Sequence, residues 1–258
     1  MGSEMCIRDR FGWSACPHRI DGCRASRGRT TPPVCSADRG DRPLQSTPVQ
    51  VAVLVPVKRF RAAKGRLVGT LDSGQRAQFA RWMATGVLAA VRSHAAFVAC
   101  DDDEVAEWAE SQGADVIWCQ GLGLNGAIDD GVGQIVKLGV DHLVVSHADL
   151  PRPHNLVLVA RAGCVSLVPD RRRDGTNVMS FPARAPISAS YGAGSFRRHL
   201  AQATALAPTG IAVEVRADPD LSLDVDTPAD LAHPSIREVL PTWLQTIQDN
   251  HPPATIRR

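Results

Sequence analysis

From residue 50 onward, short unbroken apolar runs alternate with longer stretches whose apolar positions recur every three to four residues. The runs predict strands over Val51–Val57, Ala96–Cys100, Asp115–Trp118, His142–Ser146, Cys164–Val168, Thr176–Phe181 and Ile211–Arg216. Between them, Phe79, Met83, Val87 and Val91 at four-residue spacing mark one face of a helix over Ser73–Arg92. Further helices are predicted from the Asp101–Asp103 caps through Gln112, then over Asn125–Leu138, His154–Ala162 and Ser195–Ala205, with a last one from Ser235 to about Gln248. Strands alternating with helices argue an α/β fold: a mainly parallel sheet covered on both faces. In such sheets ligands sit beyond the carboxyl ends of the strands, near a reversal of strand order. The residues following each strand are therefore where chemistry is sought.

Composition sharpens the boundaries. The 258-residue chain has a net charge of +2, but residues 1–48 hold eight Arg against five acids, a net of +3 that leaves −1 for the remainder. That near-neutral remainder argues against a nucleic-acid partner. No apolar run approaches the ~20 residues of a membrane span. Residues 1–48 lack apolar periodicity, and their opening MGSEMCIRDR resembles an in-frame translation of a sequencing adaptor, so they are read as a disordered or non-native leader. The remainder divides into one domain over 49–233 and a C-terminal helix and tail over 234–258. Cys100, Cys119 and Cys164 form no C-x-x-C pair and suit a reducing cytoplasm as small buried hydrophobes.

The segment VLVPVKRFRAAKGRL places Lys58, Arg59, Arg61, Lys64 and Arg66 just after the first strand. SHADLP puts Asp149 after the fourth. LSLDVDTPADL alternates Asp224 and Asp226 through a strand-like stretch, which sets both on one face with Val225 opposite. Carboxylates so placed suit a hard cation such as magnesium, a role given to Asp224, while Asp226 or Thr227 is read as the cap of a helix at Pro228. Asp149 is either a turn residue or a second cation ligand. Gly121-Leu122-Gly123-Leu124-Asn125-Gly126 matches a dinucleotide fingerprint, but it follows the third strand instead of opening the fold, so a loop whose Asn125 meets a nucleotide is the better reading. Asp174-Gly175-Thr176-Asn177 is a turn leaving a hydroxyl and an amide at a strand start. Tyr191-Gly192-Ala193-Gly194-Ser195 opens a helix and offers backbone N–H groups to an anion. His199, on that helix, is assigned no role.

Taken in order, PVK…AKGRL, GLN, ADLP, PDR…DGTNV, YGAGSF and DVDTPADL resemble the 2-phospho-L-lactate guanylyltransferase family (CofC-type) of coenzyme F-420 biosynthesis, over roughly residues 50–232. The resemblance implies a single-domain nucleotidyltransferase-like three-layer sandwich that joins GTP to a small phosphorylated carboxylic acid with release of pyrophosphate. The acid would be phosphoenolpyruvate, 3-phosphoglycerate or 2-phospho-L-lactate, and the product would pass to a downstream transferase. It further implies Mg2+ on Asp149 and Asp224, and the acid on Thr176, Gly192 and Ser195. The nucleotide would lie by Lys58, Lys64, Arg66 and Asn125, with Arg59 and Arg61 solvated. Ala193 and His147 depart from the family pattern. A related sugar-phosphate or molybdopterin-type nucleotidyltransferase and a non-catalytic nucleotide-binding module are the alternatives.

Overall fold

The computed structural model describes residues 49–250, without the side chains of 247–250, so the expectation for the leader and that for the end of the tail lie outside the described residues. Seven strands, β1 (Val51–Pro56), β2 (Ala95–Cys100), β3 (Asp115–Trp118), β4 (His142–Ser146), β5 (Cys164–Pro169), β6 (Thr176–Pro182) and β7 (Ala212–Val215), form one sheet in the order β3-β2-β1-β4-β6-β5-β7. β6 pairs antiparallel with both β4 and β5, and the other pairings are parallel. The strand order reverses between β1 and β4, which is where the crevice of an open α/β sheet forms.

The period-two alternation of β1 sorts the layers. Val53 and Val55 face one core with Ala84, Val87 and Leu88 of α1 (Ser73–Ala90) and Val105 and Trp108 of α2 (Asp103–Ser111). Ala52 and Leu54 face the other with Ile128 and Ile135 of α3 (Gly123–Val136) and Phe196 and Ala203 of α4 (Ser195–Leu206). The result is the expected three-layer sandwich. Helix starts follow local chemistry: Asp72 and Gln75 form a reciprocal capping box at α1, and the Asp102 carboxylate accepts from the Val105 N–H at α2. A Cβ on Gly131 of α3 would lie 2.9 Å from Leu54 Cδ2, so glycine there permits close helix–sheet approach.

A third cluster bears on function. Leu67 and Leu71, from the loop after β1, pack with Phe79 and Met83 of α1, with Leu223 and Val225, and with Leu231 of α5 (Pro228–Leu231). Ile236 of α6 (Pro234–Arg237), Leu240 from the link that follows, and Leu244 of α7 (Thr242–Asn250) close it. The cationic loop and the Asp224–Asp226 loop are thereby fastened to one hydrophobic patch. Among the described residues no helix is long and apolar enough to cross a membrane.

Three expectations change. His154–Ala162 is not an α-helix but one 3-10 turn, Leu156–Val159; Pro151 and Pro153 precede it, and its LVLV run is too short for a helix to repay nucleation. The C-terminal helix is split in two, with Pro241 between the parts. Leu221–Asp226 is not a strand, because no neighbour pairs with it. The alternation within it holds all the same: Leu221, Leu223 and Val225 are buried while Asp224 and Asp226 are half-buried.

Candidate active site

The site lies at the carboxyl edge of β1 and β4. Beyond β1 the chain makes two 3-10 turns, and Lys64 between them adopts a left-handed backbone (φ 57°). That conformation costs a non-glycine residue roughly 1–2 kcal/mol. It aims the Lys64 ammonium inward, 2.6 Å from Asp149 Oδ2 and 3.1 Å from Asp226 Oδ1, with only 7% of the side chain exposed. Burial opposes the charge on Lys64, but the two carboxylates outweigh it and raise the ammonium above its ordinary value. Burial likewise opposes the Asp149 carboxylate, and Lys64 and His147 hold it below the usual range. Asp149 Oδ1 and His147 Nε2 are buried without hydrogen-bond partners. Asp226 is thus not a helix cap; Thr227 is, in a capping box with Asp230, and Asp230 is gripped by Arg171 at 2.7 Å.

Asp224 completes the acidic group. Burial, then the nearby charges of Asp149, Asp226 and Asp170, push its carboxyl up to about 6. The loop carrying it is set by Asp218, whose Oδ1 accepts from the Asp220 and Leu221 N–H groups, and by the Asn177 side chain, which donates to Leu221 O at 3.0 Å. The Asn177 carbonyl accepts from the His147 N–H at 3.0 Å, so one buried residue ties both acidic loops together.

Three carboxylates, a buried unpartnered oxygen and a carboxyl raised by burial and then by like charge fit a divalent cation. Among the described residues no group of three or more His, Cys, Asp or Glu converges as a metal cage. A magnesium ion commonly takes only one or two carboxylates, with substrate phosphates and water filling the rest. The cleft beside these residues measures about 480 Å³ and is lined by Lys58, Lys64, Arg66, His147, Asp149 and Asp226 among others. Lys58 is exposed within it. Arg66 is 73% exposed and 3.7 Å from Asp226. Arg59 and Arg61 are exposed, as expected, although each approaches an acid: Asp101 and Asp102 for Arg59, Glu104 for Arg61.

On the other side of β4, Thr176, at the start of β6, and Ser195, at the start of α4, are both buried. His199 links Thr176 to the glycine loop. Its Nε2 accepts from the Ser190 N–H at 2.9 Å, so the proton sits on Nδ1 and is donated to Thr176 Oγ1 at 2.9 Å. Burial first, then Arg198, lowers the imidazole to about 4, which keeps it neutral. The Thr176 hydroxyl hydrogen is then free to point at a ligand. Gly192 (φ 115°) and Gly194 (φ 70°) give the loop its shape, and the Arg198 guanidinium donates to the carbonyls of Ser190 and Ala193. The N–H groups at this helix start are largely occupied: Asp174 Oδ1 accepts from Gly194 and Asp174 O from Phe196.

Asn125 follows Leu124, which lines the cleft, but its own side chain is engaged within the protein. Its side chain accepts from the Tyr191 N–H at 2.7 Å and donates to Tyr191 O, bridging α3 to the glycine loop. The helix begins at Gly123, so the Gly-x-Gly-x-x-Gly match spans the start of α3. Sequence reasoning gave His199 no role and saw the Asn177 amide only at a strand start, not as the tie between the two acidic loops.

Comparison with known proteins bears on the family and the fold. A family model described as "Guanylyl transferase CofC like" matches residues 51–236. The chain is 35% identical over 193 residues to a phosphoenolpyruvate guanylyltransferase of Rubrobacter xylanophilus, covering 71% of this chain and 93% of that protein. It is 33% identical over 187 residues to one of Sphaerobacter thermophilus, covering 69% and 89%. In fold it is similar to a crystal structure assigned to a nucleotide-diphospho-sugar transferase from Desulfovibrio desulfuricans G20, with TM-score 0.59, 16% identity, and coverage of 78% and 96%.

Proposed function

The chain belongs to the CofC-like guanylyl transferase family, and from that premise we propose that it transfers a guanylyl group from GTP to phosphoenolpyruvate. The relatives' names support the choice of acid. A phosphate oxygen of the acid attacks the α-phosphorus of GTP; the new P–O bond forms as the bond to the β-phosphate oxygen breaks, and pyrophosphate leaves. The attacking oxygen is already ionised, so no general base is needed. Two polyanions must meet instead, and at ~4 Å with an effective dielectric of ~20 each pair of unit charges repels by ~4 kcal/mol. Catalysis is therefore positioning plus neutralisation.

The observation that carries the proposal is the cationic loop locked against Asp149 and Asp226 beside a roomy cleft at the reversal of strand order. Lys58 and Arg66 are the exposed cations facing that cleft, suited to the triphosphate. Lys64 holds the acids ionised and in place. Asp149 and Asp224 would hold Mg2+, which would supply Lewis-acid neutralisation of phosphate charge. Thr176, Gly192 and Ser195, braced by His199, would orient the acid.

The test is pyrophosphate release by the purified protein with Mg2+, GTP and, separately, phosphoenolpyruvate, 2-phospho-L-lactate or 3-phosphoglycerate. Release is expected only when an acid is present, and fastest with phosphoenolpyruvate. Asp149→Asn and Asp224→Asn should each abolish it while the protein stays folded. No release with any of the three acids would overturn the proposal.

A further inference from the structure

The cleft continues past Lys58 into a second cavity of about 270 Å³, formed by the carboxyl ends of β1 and β2 and the first turn of α3. The two cavities share Pro56, Val57, Lys58, Ala62 and Leu124, so they form one groove along the sheet edge. The second is mostly apolar. Cys119 belongs to that wall, its thiol kept neutral because burial, then Asp130, pushes it up to about 11. The nearest backbone acceptors are engaged: Ala99 O accepts from Val57 N–H at 2.9 Å and Cys100 O from Cys119 N–H at 2.8 Å.

Three charged side chains line this cavity, Lys58, Arg59 and Asp101, and Asp101 is the one carboxylate among the described residues. Its neighbour Asp102 is committed to capping α2. Asp101 is not: its closest ion-pair contact is Arg59 Nε at 3.8 Å, and 42% of its side chain is exposed.

We propose that Asp101 reads the nucleotide's base and selects guanine. This rests on the nucleotidyl-transfer reading above and names the specificity residue of the same site. An ionised carboxylate offers two acceptors and no donor. Guanine presents N1–H and the exocyclic 2-amino group side by side, two donors that satisfy both oxygens. Adenine presents an acceptor at N1 and leaves one oxygen unmatched. The ends of β2 and β4 lie two strand spacings apart, about 10 Å. A base held at Asp101 therefore directs its ribose and phosphates across Lys58 toward Asp149 and Asp224.

The experiment is titration calorimetry of the full chain with Mg2+ and GTP, inosine triphosphate or xanthosine triphosphate, on wild type and Asp101→Asn. Inosine lacks the 2-amino group, so wild type should bind it about 10- to 100-fold more weakly than GTP, the loss of one hydrogen bond to a charged acceptor. Xanthine carries an oxygen in place of that amino group. The Asn variant offers one acceptor and one donor, so it should lose GTP affinity by a similar factor and prefer xanthosine triphosphate. Equal wild-type affinity for GTP and inosine triphosphate, a comparison that needs no variant, would overturn the proposal. So would an Asn variant that keeps wild-type GTP affinity and the wild-type order. If the predicted order is found but no acid supports pyrophosphate release, the phospho-acid reading falls and the role of Asp101 stands. If no nucleotide binds, both fall.

Discussion

Acid unfolding should report directly on Asp224. Two histidines are enclosed in the native protein, His142 against Ser180 Oγ and His199 against Thr176, and burial pushes each from 6.5 down to about 4. Between those values the unfolded chain takes up protons that the native state refuses, a difference on the order of 3 kcal/mol per histidine. The stability tied to the neutral rings is complete above pH 6.5 and is lost as the pH falls toward 4. Asp224 acts in the opposite sense. Its native carboxyl, pushed up to about 6 by burial and then by Asp149, Asp226 and Asp170, binds a proton before the unfolded one does at 3.8. Keeping it ionised costs about 3 kcal/mol above pH 6, and that cost is relieved as the pH falls.

Near pH 5, then, the unfolded state holds about two more protons on the histidines and about one fewer on Asp224. The net of one proton gives a slope of roughly 1.4 kcal/mol per pH unit. Asp224→Asn removes the opposing group, so the slope should approach roughly twice that value, and the variant should exceed wild type in stability at neutral pH. Urea unfolding at a series of pH values, extrapolated to water, measures both. Burial lowers His147 as well, which steepens both slopes alike, so the quantity that tests Asp224 is their difference, about one proton or roughly 1.4 kcal/mol per pH unit. Equal slopes, or a variant less stable than wild type near neutrality, would refute the placement of Asp224 among like charges.

Lys64→Met should do the reverse, leaving Asp149 buried without its 2.6 Å partner; stability should fall by about 3–5 kcal/mol and pyrophosphate release should vanish. Chemical denaturation separates the two effects, and a variant of unchanged stability would contradict the pairing. Asn125→Ala should loosen the Tyr191 loop, raising the KM for the phospho-acid about tenfold while leaving that for GTP alone, as expected for losing a hydrogen bond or two. A rise confined to GTP would restore the nucleotide-contact role suggested by the sequence.

The layers were legible because their periodicity is strong: every predicted strand from β1 to β7 forms, since each needs only a few consecutive apolar residues to be recognised. Asp149 and Asp224 could be singled out as candidates because each ends an apolar-rich segment, and the fold brings their charges close enough to act on each other. Of the two residues read as the cap at Pro228, Thr227 is the cap, while the pairing of Asp226 was illegible because only the folded chain brings Lys64, 162 positions earlier, within 3.1 Å. Lys64 shows the same limit from the other side. Its cation was visible, but the left-handed backbone that turns it inward has no signature in a run of Ala, Lys and Gly. Asn125, His199 and Asn177 act by holding backbone and hydroxyl groups across long sequence separations, which no local pattern encodes. The His154–Ala162 segment failed for a local reason: four apolar residues in a row carry no face.

The reversed strand β6 divides labour along the chain. Everything proposed to touch the nucleotide base and phosphates, from Lys58 through Asp101 to Asp149, comes from the first stretch, on β2, β1 and β4. The contacts proposed for the acid, Thr176 through Ser195, come from the later stretch that runs through β6 into α4. Asp224 and Asp226 return last to the seam between them. Acceptor and donor specificity are therefore written in separate segments that meet along one edge. A lineage, or an engineer, can redraw the recognised acid by editing residues 174–199 and leave the nucleotide half untouched.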